Sequence, residues 1–379
     1  MIVKVQLFLF LVVYIFYVTA APKRKPLTKS ETLKHVFAIY RAFKHDPFDY
    51  PGGPNITGKP ESTSNITWLG IEKAFQSGIH LASIYGPLLG IQQWFSTNYR
   101  LIAPGEKWIK HSALVVAAGL QNNTNGRKDN WSLKEMNSIV SDSLVHYGKF
   151  FDRNACPTYF KYLDNTKKNL TKEIYNIDRI KGLKKQPSIN TTVVDSIWLA
   201  YETYMQKPNN RLPWVDKNIM KLKEFSQNLL FNAYQEKQMK QLSGGPILND
   251  ILKEIDLLII GKSKYSTQSN MTIITLPQIQ FVALLSTLLP SGTRYLEKPM
   301  NPIYFYPDNG AKLIFELHQK ENKKYEIKVL YTYSEIQKLE ILKIPLCDPL
   351  GFCDYGDFSK VLEEYIIPEE RQKCLCAKT

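Results

Sequence analysis

The sequence predicts an α/β protein carrying an inserted, mostly helical domain. Three observations predict it. Short apolar runs rich in β-formers stand at 35–40, 271–276, 311–318 and 325–333, helical spacing fills much of the chain between them, and a polar, lysine-rich stretch over 121–240 is mostly helical in pattern.

The elements follow in chain order. Met1–Lys4 carry one positive charge, residues 5–18 are almost without polarity, and Val18 and Ala20 provide small side chains at the exit. That is the pattern of a secretory signal peptide over 1–20, cleaved after Ala20. A spanning helix needs about 20 apolar residues, and no later segment is long and apolar enough, so the mature chain is expected to be secreted (extracellular) with no transmembrane segment. His35–Tyr40 reads as a buried strand leading through Arg41 towards the loop Asp49–Pro54. Trp68–Tyr85 has helical spacing, with a further helix expected through Trp94. Ser112–Leu120 is a third helix whose alanines permit close packing. Ser243-Gly-Gly-Pro246 opens a helix through Ile255, with proline placed where an N-terminal N–H is free anyway. Met271–Leu276 is a second core strand, and Ala311–His318 with Tyr325–Tyr333 form a hairpin about a Lys/Glu/Asn turn. The reading is therefore a core over 32–120 and 241–379, with residues 121–240 as a helical cap.

Composition excludes several function classes. There are 49 Lys+Arg against 35 Asp+Glu, a net charge of +14. The lysines are spread along the chain, with mild runs at Lys23–Lys25, Lys181–Lys185 and Lys320–Lys324. A nucleic-acid binder would concentrate such charge and interleave aromatics, so no specific nucleic-acid partner is expected. A general attraction to anionic surfaces is. Five cysteines are too few for a disulfide scaffold. Cys347 and Cys353 bracket a short Pro/Gly loop and can bridge locally. Cys156 can reach either Cys374 or Cys376, which leaves one odd thiol. No set of histidines and cysteines has ligand spacing, so neither a metal nor a cofactor is expected. In a secreted chain the seven Asn-x-Ser/Thr sequons at Asn55, Asn65, Asn122, Asn130, Asn169, Asn190 and Asn270 mark a glycosylated surface.

An ordered set of short stretches carries a resemblance. It comprises Asn154-Ala-Cys-Pro157, Leu212-Pro-Trp214, Leu242-Ser-Gly-Gly-Pro-Ile-Leu-Asn-Asp-Ile-Leu252 and Ala311-Lys-Leu-Ile-Phe-Glu-Leu317 with the following Tyr-Glu-Ile-Lys-Val-Leu-Tyr strand. Ile344-Pro-Leu-Cys347 with Cys353, Phe358 and Ile366-Ile-Pro368 complete it. In this order they resemble the histidine acid phosphatases, particularly the secreted insect venom and lysosomal-type members, over residues 32–376. The resemblance implies a histidine phosphatase fold: a central mixed sheet flanked by helices, with a helical cap inserted.

It also implies a chemistry that the matching residues fail to supply. After its first strand the family reads Arg-His-Gly-x-Arg-x-Pro. Histidine attacks phosphorus, and the arginines grip the phosphate oxygens through bidentate contacts. Here the strand runs into Arg41-Ala42-Phe43-Lys44-His45-Asp46-Pro47. Arg41 and Pro47 keep the spacing, but Ala42 stands at the nucleophile, Phe43 at the glycine and His45 at the second arginine. Counting back from Ser112–Leu120 puts Ile102 at a phosphate-binding arginine and Trp108 at a later one. Arg100 substitutes only if the loop has gained two residues. The family's His-Asp pair, which binds phosphate and protonates the leaving group, matches Gln278 and Ile279, and isoleucine cannot donate that proton. A further family bridge between cap and last hairpin lacks cysteine on both sides, around Tyr204–Pro208 and Tyr304–Gly310.

The leading expectation is a secreted, catalytically inactive phosphatase-like glycoprotein, with Arg41, His45, Ile102 and Gln278 as remnants of the pocket. Its partners would be host or extracellular proteins, glycans or anionic surfaces, and a homodimer is compatible with the sequence. The alternative is an active acid phosphatase hydrolysing phosphate monoesters at acidic pH, with its site rearranged around Arg41 and His45. A structural or storage glycoprotein would make no use of the pocket.

Overall fold

The structure is a computed structural model. It describes residues 32–45, 65–104, 106–122, 154–175, 201–202, 205–206, 213–263, 269–289, 306–334 and 338–377. The expected signal peptide over residues 1–20, the loop around Asp49–Pro54, Pro47 and the sequons Asn55, Asn130 and Asn190 lie outside the described residues. Of the other sequons, Asn122 and Asn169 are exposed, whereas Asn65 and Asn270 are half-buried.

Among the described residues, seven strands form one mixed sheet. They are β1 (Leu33–Arg41), β2 (Tyr99–Ile102), β3 (Met271–Leu276), β4 (Lys312–Gln319), β5 (Tyr325–Thr332), β6 (Glu340–Ile341) and β7 (Phe352–Asp354). The order across the sheet is β2-β3-β1-β4-β5-β6, with β7 also paired to β5. β2, β3 and β1 run parallel, while β4 turns antiparallel to β1 and opens the expected hairpin with β5.

Side chains on β1 alternate between the faces of the sheet, and the packing follows that period. Ala38 and Tyr40 face a cluster shared with Met271, Ile273 and Ile314. That face is covered by α1 (Trp68–Leu89) and α2 (Lys107–Leu120). Phe37 and Ile39 face the opposite cluster with Ile274, Leu276, Leu313 and Phe315. There α7 (Gln278–Leu288) packs on β1 and β3, with α4 (Pro213–Ala233), α5 (Lys237–Leu242) and α6 (Gly244–Ile259) contributing to the same apolar cluster. Within the stretch expected to form a cap, α3 (Pro157–Tyr175) packs on α4. The tail forms α8 (Tyr355–Leu362) and α9 (Glu369–Ala377). Among the described residues no helix is long and apolar enough to cross a membrane.

α1 starts at an N-cap, Thr67, whose hydroxyl accepts from the Gly70 amide at 3.1 Å. It stops at Leu89 because Gly90 takes the left-handed conformation at φ 68° and its N–H closes on the last turn. The further helix expected through Trp94 does not form: residues 91–94 are irregular.

Small residues set the approach of α1 to α2. A Cβ added at Gly78 would lie 2.0 Å from the Val116 carbonyl oxygen, and one at Gly119 would lie 2.0 Å from that of Phe75. The two helices therefore meet backbone to backbone.

All five cysteines are described. Cys347 bridges Cys353, and Cys156 bridges Cys376 across a separation of 220 residues, leaving Cys374 as an exposed free thiol. The long bridge ties the start of α3 to the C-terminal helix, where the Thr158 hydroxyl also donates to the Cys376 carbonyl at 3.1 Å.

Two outcomes are expected. Gly119→Ala must push apart helices that have no slack, and should lower unfolding free energy by about 1–3 kcal/mol. In urea titrations this would lower the midpoint without changing the slope. Replacing Cys156 and Cys376 together by alanine should remove about 2–5 kcal/mol, whereas Cys374→Ala should change stability little.

Candidate functional site

In open α/β sheets, ligands collect at the carboxyl ends of the parallel strands, where strand order reverses. Here that end is defined by Arg41 on β1, Leu276 on β3 and Ile102 on β2. Arg41 belongs to the face carrying Phe37 and Ile39 and is only 3% exposed. Its backbone is fixed on both sides: its N–H donates to the Ala311 carbonyl at 2.9 Å, and its own carbonyl accepts from the Gly310 N–H at 3.0 Å.

Both terminal nitrogens of the guanidinium have partners within the protein. Nη2 donates to Glu202 Oε2 at 2.9 Å, and Nη1 donates to the Pro307 carbonyl. The other Glu202 oxygen accepts from the Tyr306 hydroxyl. Burial, then the Glu202 charge, raises the Tyr306 pKa well above the ordinary tyrosine value, so it stays a donor. Asp308 stands nearby. Burial raises its pKa, while Arg41, Lys223 and Lys44 pull it back.

Four residues beyond Glu202, on the same helical face, Gln206 makes the second contact between cap and core. Its Oε1 accepts from the His45 N–H at 3.1 Å, and its Nε2 donates to Asn309 Oδ1 at 3.2 Å. Tyr201 sets its ring edge-on to Tyr306 at 5.3 Å between centroids. The segments around 201–206 and 306–309 are thus joined by hydrogen bonds and an aromatic contact. These are the segments in which the resemblance implies a disulfide that this chain lacks.

Ala42 has the opposite environment. Its N–H donates to the Leu276 carbonyl at 2.8 Å, and its methyl packs with Ala103, Trp108, Ile109 and Ala113. Phe43 turns towards Tyr40, with ring centroids 5.7 Å apart, and its N–H donates to Ser112 Oγ at 3.3 Å. His45 lies against Trp108, 3.9 Å between ring centroids, and is itself buried.

Not every residue expected here converges. Ile102 packs into the large cluster on the Phe37–Ile39 face, and its neighbour Ala103 is the one against Ala42. Arg100 pairs in register with Thr272 while Arg41 pairs with Leu276. Those levels are about 13 Å apart along the strands, and Arg100 instead faces Glu254 at 3.8 Å. Gln278 does reach the site: it is 7% exposed and lies beside the Tyr306 hydroxyl. Ile279 packs against the main cluster. Among the described residues no group of three or more His, Cys, Asp or Glu side chains could hold a metal ion.

Glu202, Gln206, Tyr306, Asp308 and Asn309 escape a reading of the sequence. The only signal near them is the joint absence of cysteine around Tyr204–Pro208 and Tyr304–Gly310.

Comparison with known proteins agrees with this frame. An acid phosphatase-like protein of the flea Xenopsylla cheopis is 28% identical over 365 residues, covering 92% of this chain and 96% of its own. A second flea acid phosphatase-like protein is 28% identical over 361 residues. Human lysosomal acid phosphatase is 22% identical over 376 residues, covering 93% of this chain and 82% of its own. Among solved structures, the Citrobacter braakii phytase covers 92% of this chain with a TM-score of 0.56 at 12% identity. A multiple inositol polyphosphate phosphatase of Bifidobacterium longum covers 93% with a TM-score of 0.56 at 10% identity. No protein-family model matches the sequence.

Arg41→Met should test the central ion pair. It strands a partly buried carboxylate and should cost about 3 kcal/mol. Denaturant melts of both proteins would measure the difference.

Proposed function

We propose that this chain is a secreted, glycosylated member of the histidine acid phosphatase family, as its likeness to acid phosphatase-like and lysosomal acid phosphatase proteins supports. On this reading it has lost phosphomonoesterase turnover and acts by binding an extracellular partner. The observation that carries the reading is the environment of the residue after Arg41. The resemblance calls there for a histidine whose ring is free to attack phosphorus. Ala42 instead offers a methyl group, 1% exposed and enclosed by Ala103, Trp108, Ile109 and Ala113. An alanine cannot form a phosphoenzyme, and loss of the nucleophile removes the covalent route altogether.

Two neighbouring features support the same conclusion. A general acid contributes typically about 10²–10⁴-fold, and the candidates at the start of α7 are Gln278 and Ile279, neither of which titrates. Arg41, the retained phosphate-binding arginine, already holds Glu202. His45, the nucleophile of the alternative reading, is buried with its ring against Trp108, an arrangement that disfavours attack on a substrate. Secretion rests on the N-terminal pattern of residues 1–20 and on the sequons, of which Asn122 and Asn169 are exposed.

Full-length chain expressed in insect cells should be recovered from the medium. It should hydrolyse p-nitrophenyl phosphate no faster than buffer between about pH 4 and 6. Ala42→His alone should not restore turnover, since the acid and the free arginines would still be missing. Turnover by the unmodified protein that Arg41→Met or His45→Gln abolishes would overturn the proposal in favour of a rearranged active site.

A further inference from the structure

We infer that Glu202 is a specificity-determining residue of this cleft: its carboxylate occupies the seat on Arg41 that a bound phosphate would need, so the cleft rejects anions. The inference rests on the proposed loss of turnover and deepens it by saying which ligands the same site refuses.

The geometry is that of an internal counter-ion. Arg41 is almost fully buried, and a buried guanidinium left unpaired is strongly disfavoured. In a phosphate-binding site the ligand supplies the missing charge. In this chain Glu202 supplies it at 2.9 Å, while Pro307 takes the other terminal nitrogen. The carboxylate is also held from behind. Tyr306 donates to its second oxygen, the Tyr201 ring packs on Tyr306, and Gln206 anchors the next turn to His45 and Asn309. A loose surface pair would yield to a competing ion at little cost. A partly buried, hydrogen-bonded pair does not.

The surrounding charge points the same way. The groups facing this centre are Arg41 from β1, Lys44 just beyond it, Lys223 from α4, Glu202 from the cap and Asp308 before β4, with Tyr306 and Tyr331 beside them. An incoming dianion would meet two carboxylates already placed among the three cations. Removing Glu202 leaves three cations against Asp308 alone and frees two donors on Arg41 and Tyr306. One side chain therefore decides whether the inherited cradle takes an anion.

The test uses inorganic phosphate and sulfate as probes on the full-length protein, read by thermal shift and calorimetry against sodium chloride at matched ionic strength. The unmodified protein should melt at the same temperature in phosphate as in chloride. Glu202→Gln should melt lower in chloride and recover saturably with phosphate, binding it at least about tenfold more tightly than the unmodified protein. Glu202→Gln/Arg41→Met should lose that gain. Equal phosphate affinity in the unmodified protein and Glu202→Gln would overturn the inference, as would a folded Glu202→Gln that gains none.

If Glu202→Gln does not melt cooperatively, Tyr306→Phe decides the matter. It keeps the carboxylate but removes its second partner, and should gain weaker, saturable phosphate binding; no gain there would also overturn the inference. p-Nitrophenyl phosphate turnover measured on the same samples separates the two claims. Turnover by the unmodified protein would sink both, since a phosphate ester would then have to bind in the cleft. Absence of a phosphate gain with no turnover would sink only the role of Glu202.

Discussion

The central constraint on this molecule is the burial of β1 on both faces and both edges. It lies between β3 and β4, pairs with each over most of its length, and packs Ala38 and Tyr40 to one side and Phe37 and Ile39 to the other. A strand so enclosed cannot shift register by one residue without exchanging every side chain between the faces. Whatever follows Ile39 is therefore delivered to a fixed place. Arg41 must point to the cap side and Ala42 to the α2 side. The cleft inherits its geometry from the sheet, and only its side chains are free to vary.

That division explains how a site can be rebuilt while its scaffold persists. The hydrophobic core lies beneath the strand ends and does not depend on the chemistry above them. Arg41 raises a separate problem of stability. An arginine buried this deeply is a liability when unpaired, because its desolvation is then uncompensated. Glu202 with Tyr306 resolves this within the chain. The same contacts tie the cap to the segment before β4, where the family resemblance implies a disulfide. A polar seam including Gln206–Asn309 joins those segments, so charge compensation and their attachment to the sheet are served by one set of residues.

Much of the fold was legible because its signals are local. β1 and β3 are short apolar runs, the β4–β5 hairpin announces itself by two such runs around a charged turn, and Gly-Gly-Pro246 marks the start of α6. β2 was not legible: it has four residues, one of them buried, too few for any period to show. α7 is buried almost all round, so it presents no stripe to distinguish it from a strand or a buried loop. The helix expected through Trp94 was an over-extension. Ile91 and Trp94 continue the apolar spacing, but Gly90 in the left-handed conformation ends α1 before them.

The site divides along the same line. Arg41 and Ala42 could be read because they follow a recognisable strand without a gap. Which of Cys374 and Cys376 bridges was beyond the sequence, since they lie two residues apart and only packing selects Cys376. Glu202 and Tyr306 are 104 positions apart, and neither type is unusual in its own segment. Their partnership exists only once the cap is folded over the sheet. The residues lost from a family motif are visible one at a time in a sequence, whereas the residues that compensate for the loss are visible only together. Ala42 can be placed from the strand before it, but what Arg41 holds depends on a carboxylate 161 positions further along the chain.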